Sequence, residues 1–453
     1  MKYEIDMCEG SILKKMLIFT LPLMLSSVLQ LLFNAADIVV VGRFAGDNAL
    51  AAVGSTSSLI NLLTNVFIGL SVGTNVLTAR FYGADKKKDL KETIHTSIAL
   101  SVISGIILTF VGIIFAKQIL IWMAAPDGVL ELAALYIRIY FIGMTSIMVY
   151  NFGSAILRAV GDTKRPLHFL FASGVVNVIL NLIFVIFFNM GVAGVAAATA
   201  ISQTLAAFLV IRCLVKEQGV IHLELRECRI KKEKLLSIMQ IGLPAGFQGV
   251  VFSLSNVVIQ SAINSFGATV VAGNSAASNI EGFVYVAMNA FYQACISFTS
   301  QNYGARKMDR IPKILITSEF YVIMTGVILG NLAYFFGNEL LHIYSSSDDV
   351  IAAGLVRMSV ICTTYALCGV MDVLVGALRG IGYSIVPMIV SLLGACVLRL
   401  IWIATVFQID KYHSARTVYL SYPISWTITL SVHLICFLVL WRKVKNKNIG
   451  AVK

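Results

Sequence analysis

Charge is scarce in this chain of 453 residues. Asp, Glu, Lys and Arg make up 13% of it while apolar residues make up 58%, and the mean hydropathy is +0.86. Those proportions exclude a soluble globule and specify a polytopic membrane protein. The eight cysteines are scattered, mostly inside apolar runs, with no C-x-x-C pair and no metal-type spacing, so they read as reduced packing residues. The histidines do not cluster, and no G-x-x-x-x-G-K-[ST] loop is present, which leaves metal chemistry and direct ATP drive without support. The first ten residues hold no short apolar region followed by a cleavage site, so the expectation is that nothing is removed and that the first span inserts the chain. The net charge of +12 does not point to nucleic acid, because Lys and Arg are confined to short loops and the two ends.

What is present is a series of apolar runs separated by turn residues and charges, each about the 20 residues that a bilayer requires. They predict about twelve spans, near 15–42, 48–79, 93–116, 128–157, 167–188, 192–214, 235–265, 268–301, 312–337, 349–378, 385–408 and 417–441. The polar stretch 216–234 is the longest break and divides an N-terminal lobe of six helices (1–215) from a C-terminal lobe of six (235–453). Alternate loops 80–92, 158–165, 212–234 and 306–313, with Arg379, carry 20 Lys and Arg, against the four residues Arg43, Lys117, Lys411 and Arg416 in the opposite loops. The remaining terminal charges, from Lys2 to Lys15 and from Arg442 to Lys453, fall on the richer side. Both termini are therefore expected in the cytoplasm, in a multi-pass protein of the plasma (inner) membrane.

The two halves repeat. Tyr82-Gly83-Ala84 and Tyr303-Gly304-Ala305, Arg158 and Arg379, and Pro166 and Pro387 are all separated by 221 positions, and Leu21-Pro22 and Leu243-Pro244 by 222. Six crossings per copy bring both copies in from the same side, which predicts two parallel lobes related by a pseudo-two-fold axis along the membrane normal, with a cavity between them.

Within this frame the costly residue is Asp37, a carboxylate well inside the first span. A charged Asp near the centre of a spanning helix costs about 2.5–3.5 kcal/mol, so it faces protein or water and does ion or proton work, or else it is a neutral acid or the partner of a buried arginine. At 1.5 Å rise per residue Asp37 lies roughly 8–9 Å from the outer end of its helix, while Asn181 and Thr199 lie at roughly 12 Å. Asn177 is one turn from Asn181 on the same face. Such Asn and Thr residues individually serve as interhelical hydrogen-bond glue; as a set around one acid they suggest a cation or proton site. The second half offers Glu281 and Asp372, the latter repeating the position of Asn151, which is a further candidate for the ion or proton site of the first half. Arg138 and Arg357 echo each other and are expected to be structural. Phe and Met, at 26 and 15 copies, suit a pocket for flat cations, although most of them face lipid or pack.

Taken together, Leu21-Pro22 and its copy, Asn34-Ala35-Ala36-Asp37, both Tyr-Gly-Ala turns, the run Arg158 to Pro166 with its echo Arg379-Gly380-Ile381-Gly382, and Gly191 to Thr199 resemble the multidrug and toxic compound extrusion (MATE) family of prokaryotic type, over nearly the whole chain. The loop Tyr82 to Asp89 does not fit the pattern of the major facilitator fold. The resemblance implies a cation-coupled antiporter, driven by H⁺ or Na⁺ and needing no cofactor, that expels amphipathic, cationic compounds by alternating access. It places an ion site at Asp37, Asn177, Asn181 and Thr199. Many members carry an aspartate where this chain has Asn181, so Asp37 stands as the one deep acid of the first lobe. The Na⁺-coupled sort uses an aspartate at the position of Asp372 and a glutamate on the seventh span, where this chain has no acid. Glu281 either substitutes or pairs with Arg399. Expected partners are small amphipathic substrates and membrane lipid, with the protein a monomer. A flippase of lipid-linked oligosaccharides is the alternative and would show a strongly basic cavity. An intramembrane enzyme would need a nucleophile and base, or a metal cluster, at spacings the spans do not provide.

Overall fold

The apolar runs become long helices because a bilayer leaves each backbone N–H and C=O no partner but its own helix. A computed structural model of the chain describes residues 3–122 and 127–450. Of the charges counted above, Lys2 and Lys453 lie outside that range. In chain order the helices are α1 (Ile12–Phe44), α2 (Asp47–Gly83), α3 (Lys87–Trp122), α4 (Asp127–Ile142), α5 (Met144–Ala159), α6 (Lys164–Leu182), α7 (Gly191–Lys216), α8 (Lys232–Asn264), α9 (Ala268–Gly304), α10 (Ile311–Phe335), α11 (Gly337–His342), α12 (Asp348–Thr364), α13 (Ala366–Gly380), α14 (Ile385–Ser391), α15 (Leu398–Ala404) and α16 (Ala415–Gly450). Among the described residues there is no strand.

Among the described residues nine helices are long and apolar enough to cross a membrane, or up to eleven spans if each of two bent pairs counts as one. The twelfth expected span is α9. At 37 residues it is long enough, but Asn274, Asn279, Glu281, Asn289 and Gln293 dilute its hydropathy. The expected fourth and tenth spans are the bent pairs, α4 with α5 at 48° and α12 with α13 at 45°. Each bend coincides with a tightened turn, in which Gly143 N–H donates to the Tyr140 carbonyl at 3.0 Å and Cys368 N–H to that of Tyr365 at 3.0 Å, three residues back instead of four.

The repeat is visible in the backbone. Left-handed φ values recur at Gly46 and Gly267 (87° and 89°), Asp85 and Arg306 (50° and 56°), and Gly161 and Gly382 (94° and 101°). Each pair is separated by the 221 positions read from the motifs.

Two packed units organise these helices, and they do not part at the stretch 216–234. One unit comprises 1–6 and Leu25–Gly246, the other Met7–Met24 and Phe247–Lys453. In the first, α5 packs on α2, α3 and α7, and α6 on α7; in the second, α9 packs on α10, α12 and α13, and α16 on α12 and α13. The start of α8 belongs to the first unit because it meets α2 backbone to backbone. A Cβ on Gly246 would come within 2.5 Å of the Val66 carbonyl oxygen, one on Gly69 within 2.3 Å of the Gly246 nitrogen, and one on Gly73 within 2.3 Å of the Ile238 carbonyl oxygen. Gly69 and Gly73 face Gly242 and Gly246, two G-x-x-x-G pairs that allow the close approach on which helix association in lipid depends. The stretch 216–234 is tied to the same unit through Lys91, which bridges Glu224 at 2.7 Å and Glu227 at 3.0 Å.

The start of α1 joins the second unit for equally local reasons. Phe19 meets Phe298 edge to face at 5.5 Å, the Tyr321 hydroxyl donates to the Leu13 carbonyl at 3.2 Å, and Arg310 donates to the Gly10 carbonyl at 3.2 Å. Both units thus change over within two residues of a proline, Pro22 in α1 and Pro244 in α8. These prolines lie inside their helices and not in the first turn. Each leaves the carbonyl four residues back without its helical donor.

A methyl group in the glycine seam has nowhere to go, so Gly246→Ala is expected to destabilise the protein by about 1–3 kcal/mol. Gly54→Ala, where a Cβ meets nothing within 4 Å, is expected to be neutral. Thermal unfolding of the two variants in detergent checks the contrast, and equal midpoints would contradict the seam.

Candidate functional site

Asp37 is reached from the packing of α1 on α6. A Cβ at Gly174 would fall 1.8 Å from the Phe33 ring, so only glycine lets that ring lie flat on α6. One turn further along α1, the side chain of Asp37 is buried, at 9% exposure, and its partners are uncharged. Asn181 Nδ2 donates to Asp37 Oδ1, and Thr199 Oγ1 donates to Asp37 Oδ2 at 3.5 Å. Behind them Asn177 Nδ2 donates to Thr199 Oγ1 at 3.3 Å, and Asn181 Nδ2 also reaches Asn177 Oδ1 at 3.3 Å. The structure therefore joins the four residues singled out in the first half, from α1, α6 and α7, in one hydrogen-bonded set. Asn181 Oδ1 is buried and finds no donor among the described residues. A cavity of about 50 Å³ opens beside the set, with Gln30, Asn34, Asp37, Asn177, Thr199 and Gln203 on its polar wall and neither Lys nor Arg in its lining. A buried carboxylate, an oxygen acceptor without a donor, and further amide and hydroxyl oxygens make a donor set suited to a proton or a hard cation.

Asn151 does not join this set. Its amide donates to the Ile147 carbonyl of its own helix at 2.9 Å, and it does not line the cavity. Tyr136 and Tyr140, which sequence reasoning missed, lie within the electrostatic reach of Asp37 and stack on each other at 5.9 Å. Their i, i+4 spacing on α4 was the available signal. A turn of π-helix follows directly after Asn181, at Ile183–Phe187, and a second precedes Arg399, at Leu392–Val397. Each widens the helix by one residue beside a polar side chain, and neither leaves a mark in hydropathy.

The second-half residues separate into distinct arrangements. Glu281 does not pair with Arg399. Both of its oxygens are taken by Arg357, Nε to Oε1 at 3.0 Å and Nη2 to Oε2 at 2.7 Å, while Arg357 Nη1 donates to Asn274 Oδ1 at 2.8 Å. Arg357 on α12 lies nearer to α9 than Arg399 does because α9 packs directly along α12. Arg399 instead donates to Ser425 Oγ at 2.7 Å and stands over the Tyr422 ring at 4.2 Å. Asp372 is flanked by the Tyr285 hydroxyl and the charge of Arg379, and it contacts neither Glu281 nor Arg399 through any hydrogen bond found among the described residues. Arg379 itself donates to the Tyr292 hydroxyl and, at 2.8 Å, to Gln248 Oε1.

Known proteins resemble this arrangement from end to end. The family model MatE matches twice, over residues 22–183 and 244–405. A probable multidrug resistance protein of Bacillus subtilis, YoeA, is 27% identical over 448 residues, covering 96% of this chain and 95% of its own length. A second from the same organism, YpnP, is 29% identical and covers 87% of this chain and 88% of its own. The solved outward-facing structure of a multidrug resistance MATE transporter superposes with a TM-score of 0.90 at 23% identity, covering 97% and 98% of the two chains.

The bidentate Glu281–Arg357 pair is buried, so removing one partner strands the other. Glu281→Gln is expected to cost about 3–5 kcal/mol, and the double change Glu281→Met with Arg357→Leu much less. Comparing their thermal midpoints checks this; a double variant that loses as much as Glu281→Gln would show that the stranded guanidinium is not the source of the cost.

Proposed function

The chain belongs to the MatE family of membrane transporters, and from that premise we propose that it is an exporter of amphipathic, cationic compounds coupled to H⁺ or Na⁺ through Asp37. It is a multi-pass membrane protein and not an enzyme. Its relatives YoeA and YpnP are named probable multidrug resistance proteins. The observation that carries the coupling reading is a buried carboxylate whose hydrogen-bond partners are all neutral, beside a buried amide oxygen without a donor.

The mechanism follows from what that site gains by binding a cation. An ionised Asp37 has a negative charge in a low-dielectric wall with only Asn181 and Thr199 to offset it, so a proton or Na⁺ arriving from one side neutralises it at a gain in free energy. The loaded and empty forms differ by one buried charge, which is a sufficient difference to bias a protein between two conformations. Asn177, Asn181 and Thr199 hold the carboxylate oriented and supply neutral oxygens, which favour a proton and hold Na⁺ weakly. Export then follows from exchange: an ion enters down its gradient as substrate leaves by alternating access. Asp372 is the corresponding candidate in the second unit, and Pro22 offers α1 a hinge.

Three expected outcomes test this reading. In liposomes, Asp37→Asn is expected to reduce export of a fluorescent cation to the background leak under an imposed pH gradient and under an imposed Na⁺ gradient, with insertion and folding preserved. Wild-type rates under either gradient would move the coupling site elsewhere. Asn181→Asp adds a second carboxylate and is expected to lower the Na⁺ concentration for half-maximal export about tenfold; an unchanged Na⁺ response would contradict the donor set. Pro22→Ala restores a donor to the carbonyl of Ile18, stiffens α1, and is expected to slow turnover while leaving substrate binding intact, which rates and equilibrium binding in the same preparation separate.

A further inference from the structure

A second cavity, of about 310 Å³, lies wholly within the second unit and has no part in the coupling reading. Tyr285, Tyr365, Tyr422 and Trp426 line it, together with Glu281 and Arg357. Its size is that of a small-molecule site, and a box of aromatic rings ordinarily suggests an organic cation held over their faces.

Two of the four rings, Tyr422 and Trp426, already hold cations from the protein. Arg399 lies 4.2 Å from the Tyr422 ring centre and 5.6 Å from that of Trp426, and Arg357 lies 5.8 Å from Tyr422. The Trp426 ring also stacks on Tyr365 at 5.5 Å. A further cation in the cavity would meet two rings that already hold a guanidinium and two guanidinium groups that repel it.

The charges around the cavity do not cancel. Glu281 is neutralised by Arg357, and it is the one acid in the lining. Arg399, at 7% exposure, donates to the Ser425 hydroxyl oxygen and lies over ring faces, and no salt bridge to it is found among the described residues. A buried guanidinium without a counter-ion is costly in a membrane. The amides of Asn256 and Gln260 on α8 supply polar groups on the opposite wall.

We propose that this cavity binds an aromatic carboxylate, its ring against Tyr365 and Trp426 and its negative charge in the field of Arg399, and that it rejects aromatic cations of the same shape. It is thus a site of opposite charge preference from Asp37, and no ion gradient is needed to detect it.

The test is calorimetric titration of the full-length protein in lipid nanodiscs, with empty nanodiscs as the partition control. The probes are 2-naphthoate and 2-naphthylmethylammonium, which share a ring system and differ in charge. Wild-type protein is expected to bind 2-naphthoate saturably at one site and to show no saturable binding of the ammonium that Trp426→Leu removes. Arg399→Gln is expected to weaken 2-naphthoate about tenfold, the effect of one charge acting across a few ångströms of protein, and Arg399→Lys to restore most of it. Saturable ammonium binding lost on Trp426→Leu, naphthoate binding unchanged in Arg399→Gln, or no saturable naphthoate binding to the wild type would each overturn the proposal. Should Arg399→Gln fail to fold, the binding of the two probes to wild type and to Trp426→Leu decides it. Failure here leaves the Asp37 reading intact, since that reading is measured by gradient-driven export.

Discussion

A carboxylate in a bilayer has to be answered by something, and how Asp37 is answered shapes the first unit around it. The reply is not an arginine but an amide and a hydroxyl, Asn181 and Thr199, carried by two other helices. Those contacts require α1, α6 and α7 to come close together, which Gly174 permits by admitting the Phe33 ring. Uncharged partners relieve a carboxylate only in part, and the proposed coupling role of Asp37 rests on that incomplete relief. The second unit handles one of its acids in the opposite way, since Glu281 is held by Arg357 through two hydrogen bonds that engage both of its oxygens. One half thus keeps an acid available and the other keeps one neutralised.

The same economy of contacts governs the units themselves. In lipid there is little hydrophobic reward for packing helix on helix, so association depends on close backbone approach and on hydrogen bonds. The glycine seam of α2 with α8 supplies the first and the carbonyl-directed bonds of Tyr321 and Arg310 to the start of α1 supply the second. Both α1 and α8 carry a proline where they pass from one packed unit to the other. A helix weakened at that point can bend without breaking either unit.

Much of this was legible in the residues because lipid is a strict solvent. Apolar runs and flanking charges marked the helices to within a few residues, and the spacing of 221 positions recovered the repeat that the left-handed residues Gly46 and Gly267, or Gly161 and Gly382, display in three dimensions. Helical rise alone put Asp37, Asn181 and Thr199 at neighbouring depths, and the structure joins them. Depth fixes only one coordinate, however. It could not say that Arg357 and not Arg399 reaches Glu281, because that depends on which helix α9 packs along. It could not exclude Asn151, whose amide turns back to its own helix. The division at 216–234 followed polarity, whereas the actual division follows the glycine seam, and the π-turns beside Asn181 and Arg399 change helix rotation without changing composition.

The central claim is that one carboxylate exchanges a small cation for substrate. The most direct measurement is proton release: a cationic substrate is titrated into purified, lightly buffered protein, and a pH indicator reports the protons set free. The account predicts that the wild-type protein releases protons as substrate binds, that added Na⁺ beforehand reduces the release, and that Asp37→Asn binds substrate without releasing any. Equal proton release from wild type and Asp37→Asn would contradict it.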